Sequence, residues 1–173
     1  MGRVIILAML LISAIAGGAV YYLQVYAYYE EVPADADAVK LTSIVTGEAE
    51  PIEVTNFQGI DANSSPLRYR ACFETSLSQA ELSEKFVMVD NNEPRIAPAW
   101  FDCFDAAQIG ADLQAEAIAF IGVENLQYGI DRIVAIYPDG RGYIWHEINP
   151  CGEVVFEGDP PPSSCPPLPE SSD

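Results

Sequence analysis

Few side chains in this sequence could do chemistry, and their spacing narrows them further. His146 is the only histidine and sits in Trp145-His146-Glu147. A Ser-His-Asp or Cys-His device needs a base of this kind, but no G-x-S-x-G elbow accompanies it. One histidine also excludes metal sites built on several. His146 is therefore expected at the surface or on an edge strand, with no catalytic role. Asp61, Asn63 and Ser65 begin like a calcium loop, yet position six is Pro66 and position twelve is Cys72. An EF-hand needs glycine and glutamate there, so a turn with local side-chain bonds is the better reading. Asn63-Ser64-Ser65 also matches the N-glycosylation sequon, a short and weak pattern. Asp102, Asp105 and Asp112 flank an aromatic cluster, and an acid such as Asp105 in a first helical turn complements the helix dipole. Arg68 and Arg70 form a close basic pair, expected to neutralise acids across a sheet. No catalytic, metal-binding or cofactor-binding residue is expected.

The four cysteines are Cys72, Cys103, Cys151 and Cys165. None forms a C-x-x-C pair, which argues against a zinc ribbon or a thioredoxin-like motif. Outside the cytoplasm an even count reads as disulfides, and four cysteines allow three pairings. Cys72–Cys103 with Cys151–Cys165 is the expected pairing, the second closing a loop over a Pro-rich stretch. Each bridge typically adds about 2–4 kcal/mol.

What must position these residues begins at the amino terminus. Val4 to Leu23 is almost continuously apolar, and no charge lies between Arg3 and Glu30. A helix needs roughly 20 such residues to cross a bilayer. Arg3 and the terminus precede the run, while Glu30, Glu31, Asp35 and Asp37 follow it, which favours N-in, C-out. Ala14-Ile15-Ala16 fits a cleavage pattern, but the apolar run outlasts a typical h-region of about 7–15 residues, so an uncleaved anchor is expected. Tyr21, Tyr22, Tyr26, Tyr28 and Tyr29 crowd the outer end as an aromatic belt. Tyr22, Tyr26 and Tyr29 follow helical spacing, so the helix is expected to continue out of the membrane. Ser13, Ala14, Gly17 and Gly18 make a small-residue patch on which another helix could pack.

The remainder carries most of the charge. With 26 acidic and 8 basic side chains, Arg3 among the latter, the part after the apolar run has a formal charge of −19. That field argues against nucleic acid and anionic lipid, and would favour a cationic partner or simply solubility. The organisation reads as an anchor (1–31), an acidic connector (32–38), a domain (39–156) and a Pro/Ser-rich tail (157–173) tethered at Cys165. Strands are expected over 39–45, 52–60, 67–73, 86–89, 117–123, 130–137 and 142–148. The last two flank Pro138-Asp139-Gly140-Arg141, the strongest hairpin signal. Helices are expected over 78–86, opened by a Ser78/Glu81 capping box, and 105–115. The sum is an α+β domain: an antiparallel sheet with two short helices on one face, disulfide-stapled. Trp100, Phe101, Phe104, Tyr143 and Trp145 suit a core or a docking face, with most expected in the core.

The segments Phe57-Gln58-Gly59-Ile60-Asp61, Leu67-Arg68-Tyr69-Arg70-Ala71-Cys72-Phe73, Trp100-Phe101-Asp102-Cys103-Phe104-Asp105 and Asp139-Gly140-Arg141-Gly142 resemble an uncharacterised family of small single-span alphaproteobacterial proteins. The resemblance covers nearly the whole chain. It implies a bacterial inner-membrane protein with a periplasmic domain and carries no known activity. The expected function is a non-enzymatic accessory subunit of an integral inner-membrane complex, with a respiratory complex one option. Its acidic domain would meet a cationic periplasmic protein such as a c-type cytochrome. A transient assembly or stress factor is the alternative, and an enzyme with an unrecognised site a further one.

Overall fold

A computed structural model describes residues 2–35 and 38–169. Ala36 and Asp37 of the acidic connector and residues 170–173 of the tail lie outside the described residues. Helix α1 (Gly2–Tyr22) runs without a break into one π-helical turn (Leu23–Ala27). Together they make 26 residues, none of them buried against the rest of the chain. At about 1.5 Å per residue they extend about 39 Å, enough for a hydrocarbon core of about 30 Å. Such a segment marks a single-pass membrane or signal-anchored protein.

Strand β1 (Glu30–Val32) begins after only Tyr28 and Tyr29. The helix therefore ends at Ala27, short of the expected continuation through Tyr29, and Glu30–Val32, where the expected anchor meets the connector, is an edge strand. The domain continues with β2 (Lys40–Thr42), β3 (Ala49–Pro51), β4 (Thr55–Asp61), β5 (Arg70–Glu74), α2 (Gln79–Ser83), β6 (Met88–Val89), α3 (Ala106–Asp112), β7 (Ile118–Gln127), β8 (Ile130–Ile136), β9 (Arg141–Ile148) and α4 (Pro150–Phe156). Seven strands form one antiparallel sheet in the order β1-β4-β5-β9-β8-β7-β6, and β2 and β3 pair as a separate hairpin.

The central strands read as continuous apolar runs because both faces of the sheet are covered. Along β8, Val134 and Ile136 enter one core cluster while Ile133 and Ala135 enter the other. Along β9, Ile144 and Trp145 divide in the same way, as the two-residue period requires. Leu82 of α2 seals the first cluster with Leu41 and Phe86, and Ile109 of α3 seals the second with Phe104 and Trp145. The helices thus lie on opposite faces, not on one. Ser78 caps α2 with the expected reciprocal bonds to Glu81, and Asp105 caps α3 through the Ala107 and Gln108 amides.

Two local readings need correction. The expected strand over 67–73 starts only at Arg70, because Pro66–Arg68 is a 3-10 turn capped by Ser65. Helix α4 occupies a stretch read as the domain's end and a Pro-rich loop. Asn149 caps it by accepting from the Cys151 and Gly152 amides, and Pro150 takes the first helical position, where no amide is needed. Gly152 lies directly against the backbone of Gly129, whose φ of +78° turns the chain between β7 and β8.

Candidate functional site

His146 is 3 % exposed on β9, in the interior of the sheet, which overturns its reading as a surface or edge histidine. Its ring stacks on Tyr69 at 4.8 Å between centroids. Nδ1 lies 2.6 Å from the Pro66 carbonyl, which can only accept, so Nδ1 carries the proton. Nε2 is then bare and accepts from Arg132 Nε at 3.0 Å. Arg132 also lies over the Tyr69 ring, 4.3 Å from its centroid. Burial pushes the His146 pKa down to about 4. Both ring nitrogens are thus engaged by the protein, and the imidazole is a neutral packing element.

Arg70 departs from expectation in a similar way. It is 4 % exposed and binds carbonyls in place of acids across the sheet. Nε donates to Arg95 O at 2.7 Å, Nη1 to Leu67 O and Tyr69 O at 2.8 and 2.6 Å, and Nη2 to Ile96 O at 3.2 Å. Burial lowers its pKa to about 10, which leaves it charged at neutral pH. One guanidinium therefore ties the 66–69 turn to the loop before Trp100.

Those two segments meet the helix exit, the most fully built feature of the molecule. A helix ends with four carbonyls lacking intrahelical partners. Here the Leu23 carbonyl accepts from the Tyr28 amide at 3.2 Å and the Tyr26 carbonyl from the Tyr29 amide at 3.3 Å. The Gln24 carbonyl accepts from Arg68 Nη1 at 3.2 Å, and the Val25 carbonyl from Trp100 Nε1 at 2.6 Å. Aromatic rings add to the joint: Tyr26 stacks on Trp100, Tyr29 meets it edge-on, and Arg68 covers Tyr29. The domain's own side chains thus close the end of the apolar helix.

The remaining expected residues fall as follows. Phe101, Phe104 and Trp145 are buried and Tyr143 is half-buried, whereas Trp100 is 36 % exposed and turned to the helix exit. Tyr22 stacks on Tyr26, and Tyr21 meets it edge-on. Tyr28 is exposed, and its amide closes the last turn. Ser13, Ala14, Gly17 and Gly18 are exposed on α1, and nothing lies within 4 Å of where a Cβ on either glycine would stand. Cys72 is bonded to Cys103 and Cys151 to Cys165, the pairing chosen from the sequence. Bonds of this kind persist in oxidising compartments. Asp61 Oδ1 accepts from the Ala62 amide and Ser65 Oγ from the Leu67 amide, so this segment is a turn.

Two surface recesses among the described residues gather little chemistry. One, about 580 Å³, is lined by Asp35, Glu53 and Glu74 beside Thr75 and Ser76. A second of about 400 Å³ lies between β1 and Trp100, with Glu31 and Asp102 in its wall. Neither includes His146 or Arg70. The reading of the sequence missed the roles of Gln24, Val25 and Arg68. The available signal was the carbonyl inventory of the helix end, which demands donors at that point.

Residues 39–166 match the family of unknown function DUF6446, and the chain belongs to that family. No curated protein and no solved structure matches it.

Proposed function

We propose that this protein is a non-enzymatic accessory subunit of an integral membrane complex, contributing one transmembrane helix and a fixed extramembrane domain. The observation that carries this reading is the closed joint at Gln24 and Val25. A chain that only tethers a domain needs no such bonds, whereas a subunit that must present one face at one height does. The small-residue patch on α1 gives a neighbouring helix room to approach closely, where packing and not hydrophobicity drives association.

The compartment assigned is the bacterial inner membrane, N-terminus in the cytoplasm and domain in the periplasm. Its support is the lone Arg3 before the span, the acids after it and the two disulfides. The formal charge of −19 beyond the apolar run fits a cationic periplasmic protein such as a c-type cytochrome, which long-range attraction would steer to it.

The test is recovery of the tagged full-length protein from native membranes in mild detergent, with mass spectrometry of what accompanies it. Stoichiometric co-purification of one membrane complex supports the reading. Migration as a free monomer, with scattered substoichiometric partners, moves the assignment to a transient assembly factor.

A further inference from the structure

We infer that the domain does not stand clear of the bilayer: its collar, formed by the 66–69 turn and the 94–100 loop, lies in the headgroup layer and takes phospholipid phosphate and glycerol as its ligand. The inference rests on the reading of α1 as a span and deepens it.

Depth comes first. From Val4 to Val25 the helix rises roughly 30 Å, the thickness of the hydrocarbon core. Gln24 and Val25 therefore sit where acyl chains give way to headgroups. Whatever bonds to their carbonyls sits at the same depth, and Arg68 and Trp100 do so directly. Only Tyr28 and Tyr29 separate the helix from β1, so no linker can lift the domain away.

Pro94-Arg95-Ile96-Ala97-Pro98-Ala99-Trp100 contains no acid, and neither does Ala62 to Cys72, in a chain with 26 acidic residues. Ile96 is 85 % exposed, although its carbonyl is held by Arg70. An isoleucine whose backbone is fixed while its side chain points outward contributes nothing to the core. Beside a bilayer the same side chain is a wedge among glycerol and upper acyl groups. Arg95 is exposed next to it and Arg68 half-exposed across the Arg70 bridge. Guanidinium matches phosphate in geometry and charge. Trp100 joins the tyrosine belt as its sixth ring, the interfacial position such amphipathic rings favour. The acids resume at Glu30 and Asp61, which are cross-strand partners, and at Glu93 and Asp102, which bracket the loop. That boundary sets the upper edge of the immersed zone.

The experiment uses the full chain in phosphatidylcholine vesicles carrying a nitroxide either on the headgroup or at carbon 12 of an acyl chain. Trp145 is fully buried, so Trp100 supplies the quenchable emission, and Trp100→Phe assigns it by its loss. Protein that floats with the vesicles should show Trp100 emission quenched at least twofold more by the headgroup label than by the carbon-12 label. Aqueous iodide should barely reach it. If the protein floats while iodide quenches Trp100 fully and neither nitroxide does, the collar is wet, the inference is overturned and a protein partner becomes what covers it. Stronger quenching from carbon 12 also overturns it. Failure to float removes the span reading and this inference with it. Should Trp100→Phe not fold, a fluorophore on Ile96→Cys reads the same two depths, with the same outcomes deciding.

Discussion

The indole N–H of Trp100 donates to the carbonyl of Val25 at 2.6 Å, joining positions 75 residues apart across the junction of helix and domain. This bond, with that from Arg68 to Gln24, makes the apolar helix and the sheet one mechanical unit. A hydrogen bond of this type contributes about 1 kcal/mol net. Trp100→Phe keeps an aromatic ring at the joint and removes the donor. It should lower stability by about that amount and loosen the joint. Double electron–electron resonance between labels at Ile12→Cys and Val45→Cys, both exposed, reads the effect as a broader distance distribution. An unchanged distribution would mean that the rings and β1 hold the joint without the bond.

His146 makes stability depend on pH in a window set by its environment. Its folded pKa, about 4, lies below the ordinary 6.5. Between those values the unfolded chain takes up a proton that the folded chain refuses. The contribution is therefore complete above about pH 6.5 and is lost as pH falls toward 4, at up to about 1.4 kcal/mol per pH unit. Urea unfolding in micelles at pH 7 and pH 5 should show the fall, and His146→Gln should flatten it. A His146 ring resonance titrating near 6.5 in the folded protein would remove the explanation.

The two disulfides should differ in their susceptibility to reductant. Cys72 is buried in the core cluster of Phe104 and Trp145, while Cys151 and Cys165 are each half-buried near the tail. Graded reduction followed by thiol alkylation should open Cys151–Cys165 first. Chain-entropy arguments assign each bridge about 3–4 kcal/mol, so either loss should be measurable. Losing Cys72–Cys103 should also free the 94–105 segment and raise Trp100 mobility, which losing the other bridge should not.

Gly152→Ala should be costly although the side chain added is a single methyl. The new Cβ would collide with the backbone of Gly129, which cannot swing aside as a side chain could. Overpacking of this kind typically costs about 1–3 kcal/mol. Calorimetry of the variant should show a lowered Tm. An unchanged Tm would show that α4 lifts from the β7–β8 turn without loss.

Much of the architecture was legible from the chain alone, and the misses have physical causes. The hairpin at Pro138–Arg141 and the caps at Ser78 and Asp105 are local signals, read from a few residues each. The apolar runs near 117–123 and 130–137 also announced buried strands. Strand β1 was hidden because Glu30-Glu31-Val32 has no alternation of its own and becomes a strand only by pairing with Gly59–Asp61. Helix α4 was hidden behind its proline, although Asn149-Pro150 is a sound start signal. His146 and Arg70 were misread because nothing in their neighbours reveals that Pro66, Arg95 and Ile96 bring carbonyls to them. The joint was half visible: the tyrosines of the helix exit read as interfacial and Trp100 as a core or docking residue, but no spacing rule links Trp100 to Val25.

The two-residue passage between helix and sheet also decides how the molecule can meet its surroundings. A domain on a flexible leash of n residues sweeps a volume whose radius grows as about 5–6 Å times √n. This one has no leash and sweeps almost none. Its bearing in the membrane plane is instead geared to the helix, so that turning α1 by some angle turns the whole acidic domain by the same angle. Whatever grips the Gly17–Gly18 side of α1 thereby aims the domain, and a change of grip within the bilayer would be read outside it as a change of heading.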